Sequence, residues 1–225
     1  YSAETTLKIL SNITRVISRR MRNVNNRMLN LSAQYESGMT RIESDLLGKR
    51  EVLLESYYGI QTLRAVENFN ISGITLNFFS SLIEAISMVK ESAAEANFEL
   101  GLIDADIKNA ITLACHEIQN GKFHNQFVVD MIQGGAGTST NMNANEVIAN
   151  RALEILGKDK GRYSYCHPNN HVNLSQSTND AYPTAIKIAL FNSNKKLVSV
   201  LQTLVDAFRT KGQEFSHIIK MGRTQ

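Results

Sequence analysis

Apolar residues recur every three to four positions along most of this chain, a spacing that places them on one face of an α-helix. The first apolar stripe steps in heptads over residues 10–35 and predicts one amphipathic helix. Residues 41–70 lack a long helical period, so we expect loops, a short extended segment and short helices there. The pattern as a whole predicts a mainly α-helical protein.

Three further helices are predicted from apolar stripes and from the residues that flank them. The first covers residues 79–100 and stops at Gly101. The second starts near Asp104, which can act as its N-cap, and ends at Gly121. The third covers residues 143–156. Glycine readily adopts the left-handed backbone that ends a helix, which accounts for the stops.

The last stripe is the longest and predicts a helix over residues 181–212, capped by Asp180 and with Pro183 in its first turn. Its apolar seam consists of Ile186, Leu190, Leu197, Leu204 and Phe208. At 1.5 Å per residue this rod is about 45 Å long. No other stripe is long enough to pair with it, so other subunits or further chain must complete the bundle. Neither this proline nor Pro168 is expected inside a helix.

The composition is that of an ordinary soluble globular protein, with 225 residues, 43% hydrophobic and 20% charged, and a net charge of +3. Basic residues concentrate at the start of the chain, at Lys8, Arg15, Arg19, Arg20, Arg22 and Arg27. A solvated helix face explains this stretch better than a surface for nucleic acid or anionic membrane.

The cysteines indicate a compartment. Cys115 and Cys166 are too few for a disulfide framework, so a reducing cytoplasm is expected. No apolar run approaches the roughly 18 residues of a membrane span, and no signal peptide is recognisable. The Arg-rich, acid-poor start is also similar to an organelle transit peptide, which stays open as an alternative.

Residue types of common catalytic sites are present, but not at the spacings that those sites need. The five histidines and two cysteines show no metal-ligand spacing, and the glycines at residues 134–137 come without a P-loop lysine. No serine, histidine and aspartate can be recognised as a triad. No metal, nucleotide or other cofactor is therefore expected.

Two runs, residues 134–143 and 167–180, concentrate small hydroxyl and amide side chains beside predicted helix starts. A helix N-terminus supplies unpaired N–H groups and a partial positive charge, and these side chains add short donors around an anion. The candidates are Thr138, Ser139, Ser177, Thr178 and Asn179. Such donors favour a carboxylate whose charge grows when a proton leaves the adjacent carbon. Turns and helix caps use the same residue types, so the pattern alone leaves both possibilities open.

Several motifs in these runs and beyond them occur together in one known family. They lie at residues 45–48, 50–52, 57–59, 62–65, 67–69, 134–143, 145–147, 167–184 and 220–225. From about residue 41 to 225 the chain resembles the amino-terminal part of the aspartase/fumarase superfamily, and within it the aspartate ammonia-lyase branch. Tyr58, Thr178 and Gln225 favour this branch, because fumarases typically have tryptophan, serine and histidine there. Residues 1–40 match no segment of the family.

The resemblance implies a role for each matched site residue. Thr138, Ser177 and Thr178 would bind the carboxylate that becomes the aci-carboxylate, and Asn179 would hold the amino group. The remaining implied residues are Thr224 and Gln225 at the other end of the substrate, Ser139, Asn141 and Arg64 in support, and His167, Asn169 and Asn170 at a secondary anion site. At that secondary site, Asn170 stands where fumarases have an aspartate.

The resemblance also implies an architecture. Residues 1–40 would be a basic amphipathic extension, residues 41–179 a helical amino-terminal lyase domain, and residues 180–225 the first long helix of a central helical bundle. Family members build each active site from three subunits of a homotetramer. Their base is a serine on a mobile Gly-Ser-Ser loop, which has no match in the 225 residues, so we expect an incomplete chain that is inactive alone.

The expected function is elimination of ammonia from L-aspartate to give fumarate, without a cofactor. Two alternatives stay open. One is a class II fumarase-type hydratase, and the other is a non-catalytic module whose long helix and first 40 residues serve only oligomerisation. The expected partners are a small dicarboxylate or amino acid substrate and further copies of the chain. No membrane partner is expected and no nucleic acid, although binding of polyanions by residues 1–40 could be tested by deleting them.

Overall fold

The computed structural model describes Thr14, residues 39–219 and Gly222. The chain divides between Ser56 and Tyr57 into two units. The helix predicted over residues 10–35 lies outside the described residues, apart from Thr14. The predicted domain boundaries remain predictions.

The first unit contains an antiparallel hairpin of two strands, β1 (Thr40–Asp45) and β2 (Gly48–Leu53). The turn is tight, because Asp45 pairs with Gly48 and only two residues lie between them. Gly48 has a φ of 111°, which a residue with a Cβ rarely adopts. The short extended segment expected within residues 41–70 is thereby confirmed.

The hairpin buries charge and exposes an apolar residue on β1. Arg41 and Glu43 are buried, whereas Ile42 between them is 70% exposed. The guanidinium of Arg41 donates to Oε1 of Glu43 at 2.8 Å and to the backbone carbonyls of Leu53 and Ser56 at 2.7 and 2.8 Å. These partners compensate the loss of water around the charge, so the usual alternation of apolar and polar faces is reversed here.

The second unit is helical, as the apolar pattern predicts. Its helices are α1 (Ile60–Asn68), α2 (Ser80–Glu99), α3 (Ala105–Gln119), α4 (Thr138–Ile155) and α5 (Thr178–Glu214). Short 3₁₀ turns lie at Leu76–Phe78 and His124–Gln126, and a π-helical turn lies at Pro168–Val172. The predictions for α2 and α3 are confirmed, and both helices are followed by a left-handed glycine, Gly101 and Gly121. Asp104 precedes α3 as predicted, although its side chain makes no capping hydrogen bond.

α4 lies at the centre of this unit and packs on α1, α2, α3 and α5. The apolar core between α2, α3 and α4 includes Ile83, Ile86, Ile111, Ile118, Val147, Ile148 and Leu153. α4 also buries polar side chains, namely Asn141, Asn143, Asn145, Glu146 and Asn150. Glu146 and Asn150 bond to backbone groups of residues 57–62, whereas Oδ1 of Asn141 and of Asn145 has no partner among the described residues. α4 is therefore the element to which distant segments of the chain are tied.

α4 begins at Thr138, five residues before the predicted start at residue 143. Its first turn consists of polar, weakly helix-forming residues, which an apolar pattern does not reveal. Gln133 holds this turn from outside, since it accepts from the backbone N–H of Thr140 at 2.8 Å and donates to the Thr140 hydroxyl at 2.9 Å. Tertiary contacts, rather than helix propensity, thus extend the helix.

α5 begins at Thr178, three residues before the predicted start, and its N-cap is Ser177 rather than Asp180. The Ser177 hydroxyl accepts a hydrogen bond from the backbone N–H of Asn179 at 3.1 Å. The prediction that no proline lies inside a helix is wrong, because α5 begins early enough to place Pro183 in its second turn. Since proline has no N–H, the carbonyl of Asn179 lacks its usual helical donor.

The 37 residues of α5 span about 56 Å at 1.5 Å per residue. Only the first turns are packed, against α2 and α4, through the buried Ala181, Ala185 and Ala189. Farther along, the apolar side chains are exposed, including Leu190, Leu197, Leu204 and Phe208 of the predicted seam. Within the described residues, no helix combines the length and the apolar character needed to cross a membrane.

Candidate functional site

The amino termini of α4 and α5 meet in the folded chain. Gly137, which precedes α4, is buried and has a φ of 84°. The ring of Tyr182 on α5 occupies the space that a Cβ on residue 137 would need. The two polar runs of the sequence therefore converge. Each brings a helix N-terminus, with its partial positive charge, to this place.

Two hydrogen bonds from Asn141 join the two runs directly, one to Asn173 and one to Thr178. Asn141 on α4 donates from Nδ2 to Oγ1 of Thr178, the first residue of α5, at 3.2 Å. Asn141 is buried, whereas Thr178 is partly exposed and can reach a ligand. Near this pair in the sequence, Ser139 is half-buried, and Thr138, Ser177 and Asn179 are exposed. The two runs thus combine a fixed buried amide with accessible hydroxyl groups.

A buried lysine stands behind this pair. Lys90 on α2 is 0% exposed, and its Nζ donates to Oδ1 of Asn173 at 2.8 Å and to Oε1 of Gln176 at 2.9 Å. Oδ1 of Asn173 also accepts from Nδ2 of Asn141 at 3.0 Å. The lysine is therefore connected to Thr178 through two amide side chains.

Sequence reasoning missed Lys90, although the chain carries a signal for it. Lys90 continues the apolar stripe of α2 formed by Ile83, Ile86 and Ala94, all of which are buried. A lysine at a core-facing position costs free energy unless hydrogen-bond partners reach it. Its position in the stripe therefore indicates a special environment.

The environment of Lys90 sets an expected pH dependence of stability. Burial lowers the pKa of Lys90 from 10.5 to about 7, against the opposing effect of the nearby Cys115. Between these two values the folded protein binds fewer protons at residue 90 than the unfolded chain does, so raising the pH favours folding. We expect the free energy of unfolding, measured in urea, to rise with pH relative to that of Lys90→Met above about pH 7, and to run parallel below it. Parallel curves over the whole range would contradict the lowered pKa.

Glu146 anchors the start of α1 to α4. Its buried carboxylate accepts hydrogen bonds from the backbone N–H groups of Gly59, Gln61 and Thr62 at 2.8, 2.8 and 3.0 Å. A carboxylate at a helix N-terminus satisfies unpaired donors and complements the helix dipole. Sequence reasoning placed Glu146 within a family motif but gave it no role. Arg64, a predicted supporting residue, lies half-buried on the helix that this carboxylate holds.

His167 caps the π-helical turn of residues 168–172. Its Nδ1 accepts from the backbone N–H groups of Asn169 and Asn170 at 3.0 and 3.3 Å. Burial and the neighbouring His171 lower the pKa of His167, which favours the neutral ring that this acceptor role requires. Asn169 and Asn170 are exposed. The turn leads directly to Asn173, which joins it to the Asn141–Thr178 pair.

An apolar groove close to the helix starts fits a carboxylate less well. This groove of about 420 Å³ beside Tyr182 is lined mainly by apolar side chains such as Phe78, Phe79 and Ile186, and none of its lining residues is charged. Among the residues that the structure describes, no group of three or more His, Cys, Asp or Glu side chains could hold a metal ion. Thr224 and Gln225 lie outside the described residues. Of the places compared, the converging helix starts are the best candidate for an anion site.

Comparison with known proteins places this geometry in a family. Residues 48–225 match the family model described as Lyase. The aspartate ammonia-lyase of Pseudomonas aeruginosa is 59% identical over 186 residues, which cover 83% of this chain and 39% of that protein. The aspartate ammonia-lyase of Helicobacter pylori strain J99 is 58% identical over 185 residues, which cover 82% of this chain and 40% of that protein. The chain thus spans about two fifths of the length of these relatives.

Solved structures of similar proteins point to the same family. A crystal structure described as fumarate lyase:delta crystallin, from Brucella melitensis, matches with 54% identity and a TM-score of 0.80, covering 83% of this chain and 44% of that one. A recombinant class II fumarase from Schistosoma mansoni matches with 40% identity and a TM-score of 0.77, covering 83% of this chain and 39% of that one. The resemblance predicted from the motifs is confirmed, and the chain belongs to the lyase family of the aspartase/fumarase superfamily.

Proposed function

We propose that the protein carrying this chain is a lyase that eliminates ammonia from L-aspartate and releases fumarate. The observation that carries the proposal is the hydrogen bond between Asn141 and Thr178, which ties together the starts of two helices rich in accessible hydroxyl groups. Relatives that are 52–59% identical and named aspartate ammonia-lyase support the choice of substrate.

The proposed reaction needs donors rather than a cation next to the carboxylate. A base takes a proton from the carbon beside one carboxylate, and the electron pair moves onto the oxygens of that carboxylate. The resulting aci-carboxylate then collapses, the carbon–carbon double bond forms, and the carbon–nitrogen bond breaks to release ammonia. Preorganised hydroxyl and N–H groups stabilise the aci-carboxylate more than the substrate, which lowers the barrier.

Each site residue has a proposed task in this scheme. Thr138, Ser177 and Thr178 hold the carboxylate that gains charge, and Asn179 holds the amino group. Thr224 and Gln225 hold the other end of the substrate, and Ser139, Asn141 and Arg64 support the arrangement. The Ser177 hydroxyl fits its task, because its oxygen already accepts from the N–H of Asn179 and its hydrogen is left for a ligand.

We also propose that the protein is a homo-oligomer, a tetramer in its full-length form, built along the exposed face of α5. The apolar side chains of Leu190, Leu197, Leu204 and Phe208 on this face are exposed in the single chain. An apolar helical stripe of this kind is stable in water when another helix covers it.

Replacement of one seam residue is expected to weaken the assembly. In Leu204→Glu a charge would be buried in the interface, so we expect a shift towards monomer in sedimentation velocity at a concentration where the unmodified protein is assembled. Ser199→Glu adds the same charge to an exposed polar position of the same helix and should leave the distribution unchanged. A Leu204→Glu protein that sediments like the unmodified one would contradict an interface at this face.

A cytoplasmic location is part of the proposal. Cys115 and Cys166 are both buried and unpaired, and burial raises the pKa of each thiol, which keeps both in the unreactive protonated form. Thiols of this kind are compatible with a reducing compartment.

The decisive experiment is an assay of the full-length protein for fumarate formation, with L-aspartate and L-malate as separate substrates. We expect turnover of aspartate and little or none of malate. A preference for malate would favour the fumarase-type hydratase, and no turnover of either substrate by an assembled protein would favour the non-catalytic module. The 225 residues assayed alone should be inactive, because they contain no match to the family's Gly-Ser-Ser loop.

A further inference from the structure

Hydrogen bonds lead from Lys90 through Asn173 and Asn141 to the hydroxyl of Thr178. We propose that Lys90 is a positioning residue that acts through Asn173 and Asn141 to keep the Thr178 hydroxyl pointing its hydrogen at the substrate carboxylate. This inference rests on the proposed function, because it assumes that Thr178 binds that carboxylate. Lys90 itself is fully buried and makes no contact with the substrate in this scheme.

The amide of Asn173 can adopt only one orientation. Its Nδ2 donates to the backbone carbonyl of Gln176 at 3.0 Å, so its Oδ1 faces the other way. There Oδ1 accepts from Lys90 at 2.8 Å and from Asn141 at 3.0 Å. Below its pKa of about 7, Lys90 is an ammonium group with donors and no acceptor, so it holds the oxygen, and never the NH₂ group, of Asn173 towards itself.

Gln176 reinforces this orientation from the second side of the lysine. Its Nε2 donates to the backbone carbonyls of Val172 and Leu174 at 2.9 and 3.2 Å. Its Oε1 therefore turns to Lys90 and accepts from Nζ at 2.9 Å. Lys90 thus donates to the oxygens of two amides whose nitrogens donate to backbone carbonyls. Neither amide can turn over without losing these hydrogen bonds.

The orientation of Asn173 also determines whether the Thr178 hydroxyl donates or accepts. Because Oδ1 of Asn173 is an acceptor, Asn141 must present its NH₂ group to it, and the same group also donates to Oγ1 of Thr178 at 3.2 Å. A hydroxyl that accepts one hydrogen bond retains its own hydrogen for another partner. The partly exposed Thr178 hydroxyl is therefore a donor to an incoming carboxylate. A reversed Asn141 amide would accept this hydrogen and take it away from the substrate.

A double-mutant cycle tests the connection. Lys90→Met keeps a long unbranched side chain, one atom shorter, and removes every donor, and Thr178→Val keeps the shape and removes the hydroxyl. The full-length protein is titrated with succinate, an unreactive dicarboxylate, by calorimetry below pH 7, where Lys90 is charged. We expect Lys90→Met to weaken succinate binding about tenfold when Thr178 is present, the worth of roughly one hydrogen bond to a charged group, and less than about twofold in the Thr178→Val background. An equal loss in both backgrounds would overturn the proposal.

Matched variants separate positioning from packing. Ser87→Ala alters a buried side chain one turn earlier on α2 whose hydroxyl bonds only to the carbonyl of Glu84, at 2.7 Å, and should bind succinate normally. Lys90→Gln retains a donor for Asn173 and should bind with intermediate affinity. Normal binding by Lys90→Met, or equal losses for Lys90→Met and Ser87→Ala, would refute a role in positioning.

A second pair of variants covers the case in which Lys90→Met does not fold. Asn173→Asp keeps an oxygen between Lys90 and Asn141, whereas Asn173→Leu removes it. We expect Asn173→Asp to bind succinate nearly normally and Asn173→Leu to lose about tenfold. Normal binding by Asn173→Leu would overturn the proposal. Because succinate binding needs no turnover, inactivity of the unmodified protein towards aspartate would count against the proposed function alone.

Discussion

Gly137→Ala is expected to lower the free energy of unfolding by about 3 kcal/mol and to abolish binding of dicarboxylates. Two costs add at this position. The φ of 84° is strained for any residue with a Cβ, and the new methyl group would overlap the ring of Tyr182. Relief of the overlap must move the start of α4 away from the start of α5, which separates Asn141 from Thr178. Urea unfolding and succinate titration measure the two effects.

Gly157→Ala is the matched control for the conformational part of this loss. Gly157 follows the other end of α4 and has a φ of 69°, but a Cβ there would meet no atom within 4 Å. We expect this variant to lose about 1 kcal/mol and to bind succinate normally. If Gly137→Ala were no more harmful than Gly157→Ala, the close approach between the two helix starts would carry no weight.

Glu146→Gln is the second substitution for which a large effect is expected, a loss of about 3 kcal/mol in the free energy of unfolding. The carboxylate accepts from three backbone N–H groups at the start of α1, and an amide would turn an NH₂ group towards one or more of them. Hydrogen exchange at Gly59, Gln61 and Thr62 should accelerate more than elsewhere, since these amides lose their acceptor. Exchange rates at these residues that stay unchanged would show that another group holds α1.

Glu154→Gln provides the control on the same helix. Glu154 accepts from Arg151 at 2.9 Å and from the hydroxyl of Tyr57 at 2.7 Å, and its side chain is partly exposed. Water can replace these contacts, so we expect a change below about 1 kcal/mol. The difference between the two variants isolates the effect of burial on a carboxylate in α4.

The helical core could be predicted from the sequence because its signals are local. α2 and α3 carry apolar stripes closed by Gly101 and Gly121, and each boundary depends on neighbours within a few residues. The starts of α4 and α5 could not be placed in this way, since their first turns are polar and are held by Gln133 and Ser177. Side-chain contacts with these residues, rather than a periodic pattern, decide where the helices begin.

The sequence predicts the accessible hydroxyl groups of the candidate site, whereas it does not predict the contacts of the buried Lys90 and Glu146. Thr178 and Asn141 belong to recognisable motifs. Lys90 and Glu146 depend on partners about 80 residues away in the sequence, and no local pattern shows which groups will meet them. The reversed burial on β1 has the same cause, because the partners of Arg41 include carbonyls of a strand that the pattern did not define. A charged residue within an apolar stripe is the one local clue.

The uneven packing of α5 separates the folding of the chain from the burial of the rest of the helix. Its first turns are docked inside their own chain, so the helix can be anchored by a first-order step that needs no second molecule. If further copies of the chain cover the remaining apolar length, as proposed above, that step is bimolecular and its half-time lengthens on dilution. Until then, each newly made subunit exposes an apolar helical surface several turns long. Other subunits, chaperones and aggregating chains would therefore compete for the same surface. The outcome would depend on the expression level.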